Sequence, residues 1–129
     1  MPEQAPTVLV IDNDLGVVTA ISTRLEHLGY CCLTAGTGAQ GLAAFREHDV
    51  DLVITDLNMP AGDGVTLART IRKTSGAPIL IVTGFQAEYR DALRGLPNVT
   101  LVRKPFDSNQ LVELVEADLI LSGRRLPAA

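Results

Sequence analysis

The feature that most constrains the fold is an alternation between short β-branched apolar runs and longer segments with helical spacing. Five runs of four or five residues, four of them rich in Val and Ile, are predicted strands: residues 8–11, 30–34, 52–55, 79–82 and 99–102. Runs of this length and composition are typical of strands that are buried on both faces of a parallel sheet. Parallel neighbours need a crossover connection, which is usually a helix.

The segments between the strands supply those crossover helices. Val17, Ile21, Leu25 and Leu28 recur at steps of four, four and three, which places them on one helix face, and Gly29 follows where a left-handed residue ends many helices. Further helices are predicted over residues 39–46, 65–72 and 87–94, and a fifth begins near Ser108, which we expect to cap it. Five strand-helix units therefore predict an α/β fold with a doubly wound parallel sheet.

The size of the chain is right for one such domain. The chain has 129 residues, of which 47% are hydrophobic, and a formal net charge of −4. We assign residues 7–122 to the domain, residues 1–6 to a disordered lead and residues 123–129 to a flexible tail. The acidic balance argues against direct nucleic-acid binding, and no apolar run approaches the ~20 residues that span a bilayer.

The two cysteines, Cys31 and Cys32, are adjacent, and a disulfide between neighbours is strained. We therefore expect them to be small apolar side chains in a buried strand. Free cysteines, together with the polar start of the chain, favour a soluble protein in the cytoplasm.

The carboxyl ends of the strands are where an open parallel sheet binds its ligands. The functional groups that follow the predicted strands are Asp12, Asn13 and Asp14 after the first, Asp56 after the third, Thr83 after the fourth and Lys104 after the fifth. Two carboxylates about 4 Å apart repel by about 4 kcal/mol at an effective dielectric near 20, so Asp12 and Asp56 need a cation, a shared proton or a lysine. Lys104, one of two lysines in the chain, can be that lysine.

The chemistry that this set predicts is phosphoryl transfer to a carboxylate. Mg²⁺ prefers oxygen ligands, accepts one or two carboxylates and bridges to phosphate oxygens. Asp56, held beside Mg²⁺ and Lys104, is then a nucleophile toward a phosphoryl group, and Thr83 can donate a hydrogen bond to the new phosphoryl oxygens. A single aspartate at a strand end is more often a helix cap, and we favour that role for Asp14.

Four segments together resemble the receiver domain of two-component response regulators. They are Val8-Leu9-Val10-Ile11-Asp12-Asn13-Asp14, Asp51-Leu52-Val53-Ile54-Thr55-Asp56-Leu57-Asn58-Met59-Pro60, Ile81-Val82-Thr83-Gly84 and Arg103-Lys104-Pro105-Phe106. The resemblance extends from about residue 7 to residue 121. It implies the flavodoxin-like (βα)5 sheet with strand order 2-1-3-4-5.

The resemblance also implies a role for each matching residue. Asp56 would accept phosphate from a phosphohistidine, and Asp12, Asp56 and the backbone carbonyl of Asn58 would hold Mg²⁺. Thr83 would be the switch hydroxyl. Lys104 would contact the phosphoryl group, and the bond between Lys104 and Pro105 would be cis.

Two positions depart from the family pattern. Asn13 stands where a second acid is usual, so its place among the Mg²⁺ ligands is in doubt and we predict weaker Mg²⁺ binding. Leu101 stands where an aromatic ring often rotates inward with the switch hydroxyl, and leucine has no ring to swing. The usual signal to the face formed by the fourth predicted helix and the fifth strand is therefore in question.

The predicted function is that of a phosphorylation-controlled receiver, not an enzyme beyond self-catalysed phosphorylation and dephosphorylation. The expected phosphodonor is a sensor histidine kinase or a histidine phosphotransfer protein, and Leu15 is a candidate contact for it. The downstream effector is open, and a homodimer through the fourth or fifth predicted helix is possible. One alternative is an interaction module that kept the fold but lost phosphorylation. Another is a phosphatase, which is disfavoured because Asn58 stands where its second aspartate belongs.

Overall fold

The computed structural model describes residues 5–57, 64–84, 91 and 93–127, which include a five-stranded parallel sheet. The strands are β1 (Thr7–Ile11), β2 (Cys31–Ala35), β3 (Leu52–Asp56), β4 (Ile79–Thr83) and β5 (Val99–Arg103). Their order is β2-β1-β3-β4-β5, and every neighbouring pair is parallel. The flavodoxin-like α/β fold and the strand order 2-1-3-4-5 are thus confirmed.

Helices cover both faces of the sheet. They are α1 (Leu15–His27), α2 (Gly38–Glu47), α3 (Gly64–Arg72) and α4 (Ser108–Leu121), so that α4 is the fifth helix of the sequence prediction. One apolar core joins the sheet to α1 and α4, and a second joins its other face to α2 and α3. The helix predicted over residues 87–94 lies mainly outside the described residues. None of the helices within the described ranges is long and apolar enough to cross a membrane.

Four strands end one residue later than the apolar runs predicted, and three of these end at a polar or charged residue. Asp56, Thr83 and Arg103 are the last residues of β3, β4 and β5, and the sheet register pairs Thr83 with Arg103. Asp56 in turn pairs with Val82. Polar residues continue these strands because a neighbouring strand satisfies their backbone groups, which the apolar pattern of the sequence does not report.

The prediction that all five strands are buried on both faces is wrong for the two edge strands. In β2 only Ala35 is fully buried, and in β5 only Val102 is. Cys31 is consequently exposed rather than buried, because β2 has a neighbour on one side only. Cys32 is half-buried beside the backbone oxygen of Ser22, and burial raises the pKa of its thiol to about 12.

Side-chain caps begin three of the helices. Asp14 accepts hydrogen bonds from the amides of Gly16 and Val17, which confirms its predicted capping role. Thr37 caps α2 in the same manner. The prediction that Ser108 caps the last helix is wrong: Asp107 is the cap, with Oδ1 2.9 Å from the amide nitrogen of Asn109.

The chain after α4 turns back toward the amino-terminal edge of the sheet. Gly123 has a φ of 76°, and the amide of Arg124 donates to the carbonyl of Leu119 over 2.7 Å. The Arg124 guanidinium lies 3.8 Å from Oδ1 of Asp51, and the Thr7 amide donates a hydrogen bond to Oδ2 of the same carboxylate. The assigned domain limits, residues 7–122, stay a prediction.

Candidate functional site

An acidic pocket lies at the carboxyl edge of the sheet, as the sequence predicted. Asp12 follows β1 directly and Asp56 ends β3, and these two strands are neighbours. The ammonium of Lys104 lies 3.4 Å from Oδ1 of Asp56 and 3.8 Å from Oδ2 of Asp12. Both acids are buried, with 8% of Asp56 and 5% of Asp12 exposed, while Lys104 is partly open to solvent. The fold therefore holds two carboxylates against one partly solvated cation.

Asp12 is held by the chain on either side of it. Its amide donates to the carbonyl of Ala35, and its Oδ1 accepts the amide of Asp14 over 2.9 Å. Burial raises the pKa of Asp12 above its usual value, and the negative charge of Asp56 adds to the rise. The Asp14 amide and the Lys104 charge oppose the rise but do not cancel it. A cation that enters this pocket would relieve the cost of a buried charge.

Asp56 is fixed through its own peptide unit. The amide of Leu57 donates to Oδ1 of Asp56 over 2.8 Å, and the Thr55 hydroxyl donates to the Asp56 backbone carbonyl over 2.9 Å. Gly64, the first residue of α3, donates its amide to the Leu57 carbonyl over 2.8 Å. The carboxylate is therefore oriented by local backbone groups as well as by Lys104.

Thr83 and Lys104 reach the same edge on adjacent strands. Thr83 ends β4 and is 1% exposed, and its carbonyl accepts the amide of Lys104 over 2.9 Å. The peptide bond between Lys104 and Pro105 is cis, which is the isomer that the resemblance implied. Phe106 then packs against the core between α1 and α4.

The remaining predicted site residues differ in their placement. Asn13 is exposed and lines a cavity of about 220 Å³ with Asp12 and Leu15. Asp14 uses one carboxylate oxygen to cap α1. Leu101 is half-buried and packs against the core on the α2 and α3 face. Asn58 lies outside the described residues.

Sequence reasoning missed one polar side chain at this edge. Ala35 and Gly36 follow the second predicted strand and carry no polar side chain, but α2 brings Gln40 to that strand end. The Oε1 of Gln40 accepts the amide of Gly36 over 3.1 Å, and Gln40 lines the same cavity as Asp12 and Asn13. The helix predicted over residues 39–46 already has Gln40 in its first turn, but a helix assignment alone does not report that this side chain reaches the end of β2.

The donor set of the acidic pocket suits Mg²⁺ better than a softer metal. Within the part of the chain that the structure describes, no three His, Cys, Asp or Glu side chains cluster closely enough to hold a metal ion. Two buried carboxylates with an exposed mouth match an ion that keeps several waters and takes its other ligands from a phosphate group. Zinc sites use thiolate or imidazole ligands, and neither lies among Asp12, Asp56 and Lys104.

The comparison with protein families identifies the family of the chain that carries this pocket. Residues 8–116 match the family described as the response regulator receiver domain. The chain belongs to the response regulator receiver family. Members of that family are signalling phosphoacceptors rather than conventional enzymes, and they act in two-component phosphorelays.

Individual relatives agree with this assignment. The chain is 34% identical over 113 residues to a probable transcriptional regulator, ycf27, of Cyanidium caldarium, covering 86% of this chain and 45% of that protein. It is 33% identical over 114 residues to the DNA-binding response regulator MtrA of Mycolicibacterium paratuberculosis, covering 87% and 50%. The receiver described here thus spans about half the length of these relatives.

The fold also matches solved receiver structures. The chemotaxis response regulator CheY4 of Vibrio cholerae superimposes with a TM-score of 0.82 at 26% sequence identity. The match covers 89% of this chain and 99% of the other.

Proposed function

We propose that Asp56 accepts a phosphoryl group from a phosphohistidine in a Mg²⁺-dependent reaction and that this modification switches partner binding. The observation that carries the proposal is the convergence of Asp12, Asp56 and Lys104 within 4 Å contacts at the sheet edge of a receiver. The two buried carboxylates carry more negative charge than Lys104 offsets, and a divalent cation that enters with the phosphoryl donor would supply the missing countercharge.

The reaction transfers one phosphoryl group between two nucleophiles. A carboxylate oxygen of Asp56 forms a bond to phosphorus while the bond from phosphorus to the donor imidazole nitrogen breaks. That nitrogen keeps the electron pair, and an acyl phosphate forms on Asp56. Mg²⁺, when bound through Asp12, Asp56 and the backbone carbonyl of Asn58, would neutralise charge on the transferring oxygens.

The chain's own residues orient and stabilise the product. The Leu57 amide directs Oδ1 of Asp56, and Lys104 offsets negative charge at the same oxygen. Thr83 ends the neighbouring strand, where its hydroxyl can donate to a phosphoryl oxygen. Phosphorylation adds about −1.5 to −2 charge, so it would draw the Thr83 hydroxyl and Lys104 toward the acceptor. That attraction biases two pre-existing conformations of the domain.

The proposed phosphodonor is a sensor histidine kinase or a histidine phosphotransfer protein, docked beside the acidic pocket. Leu15 begins α1 and is 78% exposed, and this exposure supports its assignment as a candidate contact for that donor. A groove of about 320 Å³ between α1 and α4 lies next to it, with Ala20, Phe106 and Val112 among its lining residues. Exposed apolar surface of this kind marks an interaction site when polar residues surround it.

Two candidate outputs follow for the phosphorylated receiver. The names of the relatives describe transcriptional and DNA-binding regulators, so an effector that acts on transcription is one candidate output. A homodimer formed through α4, or through the fourth predicted helix over residues 87–94, is another candidate output. Both outputs fit a protein that acts in the cytoplasm. We expect the receiver itself not to contact nucleic acid, because its net charge is −4.

The experiment is to incubate the protein with acetyl phosphate and Mg²⁺ and then to weigh the intact chain. We expect an added mass of one phosphoryl group that is absent in Asp56→Asn and absent without Mg²⁺. Label that persists in Asp56→Asn contradicts Asp56 as the acceptor, and turnover of added phosphoesters would indicate a phosphatase.

An interaction module that is independent of phosphorylation is the second candidate. Asn13 and Leu101 favour it, because one removes a charge from the pocket and the other removes the ring that often transmits the signal. No added mass on the wild-type protein, with or without Mg²⁺, would favour this function.

A further inference from the structure

Gly64 lies against the backbone of the residue that carries the proposed acceptor carboxylate. A Cβ atom on Gly64 would lie 2.6 Å from the Asp56 carbonyl oxygen and 3.0 Å from the Leu57 Cα. Real Cβ atoms essentially never approach another atom that closely. The φ of Gly64 lies outside the left-handed region, and the residue is helical, so its backbone conformation does not require glycine. The need for glycine comes from the close approach alone.

The atoms that Gly64 touches belong to the peptide unit that orients the carboxylate. The Asp56 carbonyl and the Leu57 amide are the two ends of one planar peptide. That amide donates to Oδ1 of Asp56 over 2.8 Å. A force on the carbonyl oxygen therefore tilts the whole unit and redirects the hydrogen bond that fixes the carboxylate.

We propose that Gly64 is a positioning residue for phosphoryl transfer, which sets the direction of the Asp56 carboxylate through the peptide that joins Asp56 to Leu57. The inference rests on the proposed function of Asp56 as the acceptor. Gly64 acts from α3, and its own amide donates to the Leu57 carbonyl over 2.8 Å. The helix thus contacts both carbonyls that flank the orienting amide.

The size of the displacement follows from the contact. An alanine at position 64 must open the distance to the Asp56 oxygen from 2.6 Å to the 3.4 Å at which ordinary contact begins. The neighbouring atoms are backbone atoms of a fully buried segment, since Leu57 is 0% exposed, so they cannot yield by rotating a side chain. A misplacement of about 1 Å at a reacting group costs on the order of 100-fold in rate.

Gly41 offers a matched control on the other acid. It lies inside α2, and a Cβ there would overlap the side chain of Ile11, the residue before Asp12. Gly41→Ala and Gly64→Ala both introduce one methyl group at a helix contact beneath the pocket. In Gly41→Ala the obstacles are the Cδ1 and Cγ1 atoms of the Ile11 side chain, so the overlap strains core packing but does not press on the Asp12 backbone.

The test compares the two variants with wild type in two measurements at a temperature where circular dichroism shows each to be folded. One is the rate of labelling by acetyl phosphate with Mg²⁺, and the other is the chemical shift of the Leu57 amide proton. For Gly64→Ala we expect a labelling rate lower by roughly tenfold to 100-fold and a displaced Leu57 amide resonance. For Gly41→Ala we expect a rate within about threefold of wild type and an unchanged Leu57 amide resonance.

Several results would overturn the positioning role. Labelling of folded Gly64→Ala at the wild-type rate would do so, and so would an equal loss in Gly41→Ala. If wild type takes no label, the proposed function fails and the Leu57 resonance alone decides: a resonance that Gly64→Ala leaves in place refutes positioning. If Gly64→Ala is unfolded, both measurements are repeated in trimethylamine N-oxide, which favours the folded state. A variant that stays unfolded there makes Gly64 a folding residue and refutes the proposal.

Discussion

Replacing Lys104 by glutamine removes the cation that the two buried carboxylates share. The ammonium lies 3.4 Å from Asp56 and 3.8 Å from Asp12. At an effective dielectric near 20 these distances correspond to gross attractions of about 5 and about 4 kcal/mol. The Lys104 side chain is 35% exposed, so solvent and salt screen much of that attraction. The substitution also removes the cost of desolvating the ammonium, which offsets part of the lost attraction. We expect a net loss of about 2 kcal/mol in the free energy of unfolding at pH 7 without Mg²⁺.

The loss should depend on pH in a defined direction. The pKa of Asp12 is raised by burial, and Lys104 is one of the groups that hold the rise down. Removing Lys104 raises that pKa further and makes ionised Asp12 more costly in the folded state. The loss in the free energy of unfolding caused by Lys104→Gln should therefore be largest at pH 7, where Asp12 is ionised. It shrinks as the pH is lowered to about 4, because the pKa of Asp12 is raised above that ordinary value and the carboxyl is already protonated there.

The assay is urea unfolding at both pH values, with and without Mg²⁺, for Lys104→Gln beside Lys73→Gln. Lys73 is exposed and is the other lysine of the chain, so its replacement changes the net charge equally. We expect Lys73→Gln to stay within about 0.5 kcal/mol of wild type. The reasoning is refuted if the two variants lose the same stability at pH 7, or if the loss in Lys104→Gln does not shrink at low pH.

Three further predictions concern the same edge of the sheet. Asn13→Asp should bind Mg²⁺ about tenfold more tightly than wild type in a titration, because it adds a carboxylate beside Asp12, and equal affinities would contradict this. Asp12→Asn should raise the free energy of unfolding at pH 7 without Mg²⁺, since it removes a buried charge while its Oδ1 still accepts the Asp14 amide. That gain in the free energy of unfolding should fade as the pH falls toward the usual pKa of aspartate. A gain that does not depend on pH would contradict the explanation by removal of a buried charge. Leu15→Glu should slow transfer from the histidine donor about tenfold but leave labelling by acetyl phosphate unchanged, and equal slowing in Leu121→Glu, at an 83% exposed site, would argue against a docking contact.

The sequence determined the class of fold and the members of the acidic pocket. Apolar runs with helical segments between them report burial and periodicity, which are local properties of the chain. Strand ends meet at one edge in a parallel sheet, so Asp12, Asp56 and Lys104 could be placed together before any distance was known. The distances of 3.4 and 3.8 Å agree with that placement.

Only the tertiary structure decided which strand faces are covered and which groups orient the pocket. Cys31 is exposed because β2 is an edge strand, and that position in the sheet depends on strand order rather than on the composition of the strand. Gln40 lies 28 residues after Asp12 along the chain, and the packing of α2 brings it to the pocket. Gly64 is only eight residues after Asp56, but its close approach to the Asp56 carbonyl depends on how α3 packs on the sheet. Contacts between distant residues follow from how helices pack on the sheet, which no local pattern in the sequence specifies.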